Sequence, residues 1–548
     1  MDKKTILAFV LSLAVLIVWS ILFAPKPVQK TEPQPKQEPV KAQPAQPSSA
    51  QPAPSVQKME RPADSTVPKA EEKEVTVETP LYKAVFSSTG ASIKSFKLKK
   101  YRVTAELDSP LVELVHGQAP LVAVHFDSDA KKDTNPVVYH VDGNSFTLEG
   151  GTAPRELTFR ATTADGLVLQ QTYRIDPDHY AIEHGFTVSN PLEKPVEGTL
   201  KVQIANLPPK ESTSYYSFIG ASLLLNNKYE EIAATDFKDE KSLSGLIAWI
   251  SYQEDYFMTA FVPEAESQAN FRGRTLGSGV LEQTWSASLQ PIASGNPFST
   301  HSTLYLGPRD LEILKVIGRK LDLAIDFGWT DIIAKPLLFL LKFFNDYTGN
   351  YGIAIILLTI LIKILFWPLT HKSYKSMKEM QKIQPLMAKI REKYKSNREM
   401  MNKEMMSLYK TYKVNPMGGC LPMVIQIPVF FALFRILGNS IELRHAPFML
   451  WINDLSAPDR LFHLPFTIPL MTPPSGIPVL TLLMGASMFI QQKMTPTPGD
   501  PTQAKIMLLM PVIFTFMFIN FPSGLVLYWL VNNVLSIGQQ YRIIKRAT

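Results

Sequence analysis

The sequence predicts a multi-domain membrane protein. An α-helical polytopic core of six transmembrane helices is expected to carry a large extracytoplasmic antiparallel β-sandwich and a cytoplasmic helical hairpin. Three patterns indicate this fold class: an uncharged apolar segment near the N-terminus, about 250 residues that alternate with a period near two, and a mostly apolar C-terminal part interrupted by a basic segment. A chain of 548 residues is long enough for several domains.

Residues 1–24 form the predicted N-terminal anchor. As a helix, the apolar segment 6–24 would reach about 29 Å, close to the roughly 30 Å of a hydrocarbon core. A cleaved signal peptide is the alternative, but Leu22 stands where a cleavage site needs a small residue. Two lysines before the segment place the N-terminus in the cytoplasm by the positive-inside rule.

The next two regions differ sharply in composition. Residues 25–73 are predicted to be a disordered, proline-rich extracytoplasmic linker, because they hold almost no bulky apolar residue. Residues 74–330 are predicted to form the β-sandwich, because short runs such as 137–141 alternate between apolar and polar residues. Residues 164–166 fit a hairpin turn between two such runs. Two packed sheets are expected rather than a membrane barrel, since aromatic girdles are missing.

The C-terminal part is predicted to be helical and membrane-bound. Residues 331–350 are expected to form an interfacial amphipathic helix, with Leu337 and Leu341 on its apolar face. A five-helix core is expected within 351–548, and three of its spans are short enough to require tilt or bilayer thinning. Its predicted spans are about 351–370, 418–437, 477–490, 506–520 and 524–537. A tight Pro-Ser-Gly turn should join the last two as a helical hairpin.

Residues 371–413 are predicted to form the cytoplasmic helical hairpin, because they carry twelve Lys or Arg against four Glu. Apolar residues recur there at steps of three and four, which predicts two helices that pack on each other. These residues are Met377, Met380, Ile383, Met387, Ile390 and Tyr394, followed by Met401, Met405, Leu408 and Tyr412. The basic outer surface could meet anionic lipid, ribosomal RNA or a translocation partner. Basic residues at the C-terminus place it in the cytoplasm as well.

Lys363 is the only charge well inside a predicted span. Burying its ammonium group there costs about 2.5 to 3.5 kcal/mol on insertion scales, so something must solvate it. It either snorkels to the cytoplasmic headgroups or faces a water-filled cavity. The cavity is favoured, because Thr359 lies one turn earlier on the same helix face and Gln426, Asn532 and Asn533 lie within other spans.

Three stretches of the core resemble the YidC/Oxa/Alb family: NPMGGCLPMVIQIPVFF at 415–431, IELRHAPFMLWINDLS at 441–456 and FPSGLVLYW at 521–529. The resemblance covers the chain from residue 325 onward. It implies a membrane protein insertase and chaperone of the bacterial inner membrane, with no enzymatic activity, no cofactor and no metal. By position, the β domain is similar to the periplasmic domain of the Gram-negative members.

The resemblance also implies a polar groove that opens to the cytoplasm and to lipid. Its cationic residue is usually arginine in the family, and here it is Lys363, which keeps the charge but lacks the planar five-donor fork. Thr359 and Gln426 match polar groove positions, and Tyr528 and Trp529 match positions implicated in substrate contact. The implied partners are nascent membrane proteins, the Sec translocon, the ribosome or signal recognition machinery, and membrane lipids; no DNA partner is expected.

Other functions were weighed against these residues. A secondary transporter would favour paired halves with matching interrupted spans, and the sequence contains no such repeat. A membrane enzyme would need carboxylates, histidines or a metal motif within the spans, and the predicted spans contain none. A membrane assembly scaffold remains open on these grounds alone.

Overall fold

The structure, a computed structural model, describes residues 72–117, 119–128, 137–209, 218–414, 421–495 and 501–545. The predicted anchor at 1–24 lies outside the described residues. So does the predicted linker at 25–73, except for its last two residues. The β domain begins at Glu74, where the alternation begins in the sequence.

Within the described part of the chain, eighteen strands form the N-terminal domain, and most alternate between buried and exposed residues as half-buried strands do. The strands are β1 (Glu74–Glu78), β2 (Tyr82–Ser87), β3 (Ser92–Arg102), β4 (Leu111–Glu113), β5 (Val122–Ser128), β6 (His140–Asp142), β7 (Phe146–Thr147), β8 (Arg155–Thr162), β9 (Val168–Ile175), β10 (Ala181–Ser189), β11 (Gly198–Asn206), β12 (Gly220–Leu225), β13 (Lys228–Ala233), β14 (Lys241–Gln253), β15 (Phe257–Pro263), β16 (Ser267–Thr275), β17 (Leu281–Ser288) and β18 (Phe298–Pro308).

The strands pair in two runs. One run has the order β7–β1–β2–β3–β5–β11–β17–β16, and the other has the order β15–β18–β10–β9–β8–β6. The β1–β7 pair is parallel and the other pairs are antiparallel. The predicted hairpin at 164–166 is confirmed, because β8 pairs with β9 across it and Gly166 has a φ of +89°. That left-handed conformation favours glycine.

The prediction of two separate sheets is wrong, because backbone hydrogen bonds connect the two runs of strands. Strand β14 pairs with β16 through its first half and with β15 through its second half, so the two runs form one continuous sheet. The two runs nevertheless face each other across the core, as in a sandwich. Ring centroids of Phe86 and Tyr173 lie 5.0 Å apart, and those of Phe261 and Trp285 lie 5.1 Å apart. Alternation identified the buried face but not the partner of each strand.

The rest of the described chain is mainly helical. The helices are α1 (Leu311–Ile317), α2 (Asp331–Thr348), α3 (Tyr351–Leu365), α4 (Trp367–Lys393), α5 (Arg398–Thr411), α6 (Leu421–Asn439), α7 (Val479–Met494), α8 (Pro501–Phe518) and α9 (Ser523–Lys545). Two short strands, β19 (Leu461–His463) and β20 (Gly476–Ile477), pair in the loop between α6 and α7. Each of the five predicted core spans overlaps a helix, α3 and α6 to α9.

No single helix among the described residues is both long and apolar enough to cross a membrane by itself. The consecutive helices α3 and α4 have the length and composition for a span only when they are taken together. These two helices meet at a bend of 66°. The predicted span 351–370 is therefore divided: α3 ends at Leu365, and α4 starts at Trp367 and continues into the basic segment.

A helix is present at the predicted position as α2, and Gly349 follows its last residue, Thr348, in the left-handed conformation. Leu337 and Leu341 are buried on its inner face. Its outer face is apolar too, because Ile332, Phe339 and Tyr347 are exposed. Apolar residues that face outward suit a helix in the membrane interface.

The basic segment folds as two helices that pack on each other, as their apolar periodicity predicts. Ile383 and Met387 of α4 pack with Met405 of α5 in a small core of their own. Tyr412 was expected in this core and is instead 50% exposed, while Tyr409 packs there. Helix α5 ends at Thr411, so the helical periodicity no longer applies at Tyr412.

The last two helices were predicted to form a hairpin, and the tight turn between them is present. However, α9 packs chiefly against α7 and α3, and it meets α8 through the ring of Trp529. The predicted side-by-side packing of α8 and α9 is therefore wrong. Asn533 of α9 donates a hydrogen bond to Ser487 of α7, which helps to hold α9 on α7.

The β domain contacts the helical core through the loop that follows α6. The Arg444 guanidinium lies over the Phe257 ring, 5.4 Å from its centroid, and donates to the Val103 carbonyl at 3.2 Å. In the same loop, Glu442 forms an ion pair with Lys342 of α2 at 3.2 Å. Burial raises the pKa of Glu442. These contacts fix the β domain on the core.

Candidate functional site

Lys363, on α3, turns its ammonium group toward α9. Its Nζ donates a hydrogen bond to Ser536 Oγ at 2.7 Å. The Ser536 hydroxyl in turn donates to the Asn532 backbone carbonyl at 2.7 Å. Among the described residues, no carboxylate forms an ion pair with Lys363. A neutral hydroxyl is thus the partner of a half-buried charge.

Two other predicted residues lie beside this contact. Thr359 is 1% exposed on the same face of α3, but its hydroxyl donates to the Ile355 carbonyl at 2.6 Å and not to Lys363. The Asn532 side chain is buried on α9. Lys363 is therefore connected to Asn532 through Ser536 where α3 and α9 pack, and Thr359 lies one turn before Lys363 on α3.

Asn533 faces a different helix. Its Nδ2 donates to Ser487 Oγ of α7 at 3.0 Å, and both side chains are buried. Ser487 donates to the carbonyl of Met484 at 2.6 Å, so its hydroxyl hydrogen is already used and Ser487 accepts from Asn533. This pair extends the polar contacts of α9 from α3 to α7.

Tyr528 and Trp529 lie one turn of α9 before Asn532, and Gln426 lies on α6. Gln426 of α6 donates through Nε2 to the Tyr528 hydroxyl at 3.3 Å, and Tyr528 is 1% exposed. Trp529 lies among aromatic rings, with the centroids of Phe430 and Phe518 each at 5.2 Å. This half of the site is mainly aromatic, and none of its hydrogen bonds reaches Lys363.

Several polar residues of the same surface were not predicted from the sequence. Gln539 Nε2 donates to Thr370 Oγ1 at 3.0 Å, and Gln540 Nε2 donates to the Met494 carbonyl at 2.8 Å. With Asn532 and Ser536, these glutamines recur at helical spacing along α9. That spacing was visible in the sequence, but the predicted span stopped at residue 537. We call this row and its partners on α3, α4 and α7 the polar seam.

The polar seam offers one positive charge together with hydroxyl and amide groups. None of these groups forms a nucleophile–base pair. Among the described residues, no cluster of histidine, cysteine or carboxylate side chains could hold a metal ion. The groups suit the binding of a polar or acidic segment rather than bond chemistry.

Comparison with known proteins covers nearly the whole chain. Residues 74–340 match the family model described as YidC periplasmic domain, and residues 343–548 match that described as 60Kd inner membrane protein. The membrane protein insertase YidC of Pelobacter propionicus is 45% identical over 556 residues, with 100% of this chain and 99% of that protein covered. The membrane protein insertase YidC of Syntrophus aciditrophicus is 43% identical, with both chains covered completely.

A solved structure is also similar to this chain. It is described as an active YidC insertase with the first transmembrane domain resolved. It is 19% identical, has a TM-score of 0.39, and is matched over 86% of this chain and 93% of its own length.

Proposed function

Because the chain belongs to the YidC family of membrane protein insertases, we propose that it inserts client proteins through the polar seam around Lys363. The chain is a membrane protein insertase of the inner membrane with a periplasmic domain, and it is not an enzyme. The transporter alternative is not favoured by these relatives.

The inward-facing ammonium of Lys363 is the observation that carries the proposal. A lysine that snorkels would extend toward the headgroups, whereas this one is bonded to Ser536 on a neighbouring helix. Among the residues that the structure describes, Ser536 is its hydrogen-bond partner, which leaves two of its three N–H donors for water or a client. A positive charge held in this way attracts an acidic segment more strongly than it would in bulk water.

The proposed mechanism lowers the desolvation cost of a polar client tail. The seam supplies hydroxyl and amide groups in place of water, and Lys363 attracts acidic residues of the tail. Helix α3 has 15 residues and would span only about 22 Å, so the apolar layer around it is expected to be thin. The apolar segment of the client then moves into lipid along the outward apolar faces of the helices, driven by burial of its own surface.

The other residues have proposed roles within the groove. Thr359, Asn532 and Asn533 line its polar part, and the carbonyl of Asn532 also fixes the Ser536 hydroxyl. Gln426 and Tyr528 would form the boundary with the aromatic part, where Trp529 would contact the apolar segment of a client.

The proposed topology has six transmembrane helices: the anchor at 1–24, then α3 and α6 to α9. Both termini and the hairpin at 371–413 lie in the cytoplasm, which the basic residues of these segments support. The hairpin surface would meet the ribosome or signal recognition machinery, and the core would contact the Sec translocon and membrane lipids. The proposed domain limits are 25–73 for the linker, 74–330 for the β domain, 331–350 for the interfacial helix and 351–548 for the core.

A depletion experiment tests this function. Cells depleted of the natural protein receive one variant at a time, and insertion of a small single-span client with an acidic translocated tail is followed by protease protection. We expect Lys363→Arg to retain insertion and Lys363→Glu to abolish most of it, because the sign of the charge is reversed.

The matched control is Lys241→Glu, the same charge reversal at an exposed position of the β domain, which should insert the client normally. A second client with a neutral tail should be less affected by Lys363→Glu. Equal insertion of the acidic client by the Lys363→Arg and Lys363→Glu proteins would refute the electrostatic role.

A further inference from the structure

The loop between α6 and α7 exposes large apolar side chains. We call residues 445–478 the outer loop. Four of its apolar residues stand far out from the surface: Leu450 is 81% exposed, Phe462 72%, Phe466 60% and Leu470 82%. Exposed apolar groups of this size in one loop usually mark a surface that something apolar covers.

Three of these residues have an unfavourable backbone conformation. Leu450, Phe462 and Leu470 have φ angles of +57°, +54° and +68°, in the left-handed region. Bulky residues avoid this region, which usually takes glycine or asparagine. Strain of this kind persists where the surrounding structure imposes it, and it is concentrated at functional positions.

The outer loop is fastened to the turn between α8 and α9. Arg460 donates to the Ile519 carbonyl at 2.7 Å and to Asn520 Oδ1 at 3.1 Å. Asn520 Nδ2 donates back to the Leu470 carbonyl at 2.8 Å. These hydrogen bonds hold the loop against the turn between α8 and α9. They restrict movement of the loop backbone, so the apolar side chains stay exposed.

The composition of the second half of the outer loop identifies what covers Phe462, Phe466 and Leu470. Residues 461–492, from within the outer loop to near the end of α7, contain no Asp, Glu, Lys or Arg. A loop of this kind in water would ordinarily carry charged residues, whereas a surface in contact with lipid avoids them. The loop also connects two helices of the membrane core, so it emerges at the membrane surface.

We propose that the outer loop inserts Leu450, Phe462, Phe466 and Leu470 among the acyl chains of the outer leaflet of the inner membrane. The occupant of this surface is lipid, and not a protein. The choice of leaflet rests on the proposed orientation of the core, in which the turn between α8 and α9 faces the periplasm.

Site-directed spin labelling of the full chain in proteoliposomes tests this inference. The chain has one cysteine, so each label is placed by Leu450→Cys, Phe462→Cys or Leu470→Cys in a Cys420→Ser background. Collisions with oxygen, which enters the bilayer, and with nickel-EDDA, which stays in water, report the depth of each label. We expect the oxygen-to-nickel ratio at all three sites to equal that of Leu508→Cys, a position exposed on the apolar helix α8.

The aqueous control is Lys194→Cys, in an exposed loop of the β domain. Ratios at the outer loop as low as at this control would overturn the inference, because the loop would lie in water. Protection from both reagents would overturn it too, because a protein would cover the loop.

Two further measurements separate this inference from the proposed function. Reaction of Lys194→Cys with a membrane-impermeant maleimide in spheroplasts establishes which side the β domain occupies. Client insertion by the labelled variants is measured independently. Equal insertion of the acidic client by the Lys363→Arg and Lys363→Glu proteins, with lipid contact of the loop retained, counts against the proposed function, whereas normal insertion with a water-exposed loop counts against this inference alone.

Discussion

The β domain and the helical core both bury polar side chains, and the two sets differ in charge and in the number of their partners. In the β domain, Gln171 donates to the Tyr139 hydroxyl at 3.0 Å, accepts from the Tyr173 hydroxyl at 3.3 Å, and lies 3.1 Å from His184 Nε2. Burial lowers the pKa of His184 to about 3, so its ring is neutral at ordinary pH. This cluster is neutral and its members bond to one another.

In the helical core, Lys363 donates one hydrogen bond to Ser536, and no carboxylate of the described residues forms an ion pair with it. Buried polar groups therefore have two uses in this chain. In the Gln171 cluster the groups are neutral and mutually bonded, which favours one rigid packing. At Lys363 the buried group is a charge with a neutral hydroxyl partner, which stabilises the core less and, in the proposed function, leaves donors for a client.

The largest effect is expected from disrupting the hydrogen-bonded cluster around Gln171. Gln171→Leu should cost about 3 kcal/mol of β-domain stability, because it leaves the buried Tyr139 hydroxyl and His184 Nε2 without their partner. The loss is measured by hydrogen exchange of β9 and β10 in the full chain. Gln170→Leu, the same change on the adjacent residue with the opposite orientation, should cost less than about 1 kcal/mol. Equal losses would mean that the cluster contributes no special stability.

The same kind of change in the core should act in the opposite direction on stability. Lys363→Met should raise the stability of the helical core by about 1 to 3 kcal/mol, since a buried ammonium no longer needs solvation. It should also reduce insertion of an acidic-tailed client. Thermal unfolding in detergent and the insertion assay measure the two effects, with Lys493→Met at the end of α7 as the control. A Lys363→Met protein that is less stable than the unchanged protein would show that the buried ammonium group does not destabilise the core.

Acid should weaken the β domain through His184. The folded protein resists protonation of this ring while the unfolded chain binds a proton near pH 6.5. The stability is therefore complete above that pH and falls by up to about 1.4 kcal/mol per pH unit as pH drops toward 3. Hydrogen exchange of β10 between pH 7 and 5 measures this slope. His184→Gln should flatten it, whereas His140→Gln at an exposed position should leave it unchanged.

Removing the hydroxyl partner of Lys363 should have a smaller effect. Ser536→Ala should cost about 1 to 2 kcal/mol of core stability, because a hydrogen bond to a charged group is lost. Insertion of the acidic client should fall moderately, and Ser536→Thr should restore both properties. Failure of the threonine variant to restore them would show that the hydroxyl is not the important group.

The smallest effect is expected at Thr359. Its hydroxyl bonds to its own helix, so Thr359→Val should change stability by less than about 0.5 kcal/mol and leave insertion nearly normal. A large loss of insertion in the same assay would mean that this hydroxyl contacts the client directly.

Some features of the fold and of the candidate site could be predicted from the sequence, and others could not. Lys363 was identified because a charge inside an apolar span is rare, and the beginning of the β domain was identified at Glu74 by its alternation. Ser536, 173 positions later in the chain, could not be chosen as the partner of Lys363, because that contact depends on how α3 and α9 pack. Periodicity identifies the buried face of an element and does not identify the element that covers it.

The same limit explains the corrections. The two predicted sheets became one because the halves of β14 pair with different strands, and register over 13 residues is not visible in alternation. Gln539 and Gln540 were missed because the apolar pattern of the last span weakens before its helix ends at Lys545.

The strand order also determines when the β domain can finish folding. Strand β17 lies between β11 and β16 in one run, and β18 lies between β15 and β10 in the other. Neither run is complete until β17 has joined β11 and β18 has joined β10, and pairings so distant in sequence form slowly. Each new copy of this insertase therefore crosses the membrane with unpaired strand edges, which are exposed to aggregation until residue 308 arrives.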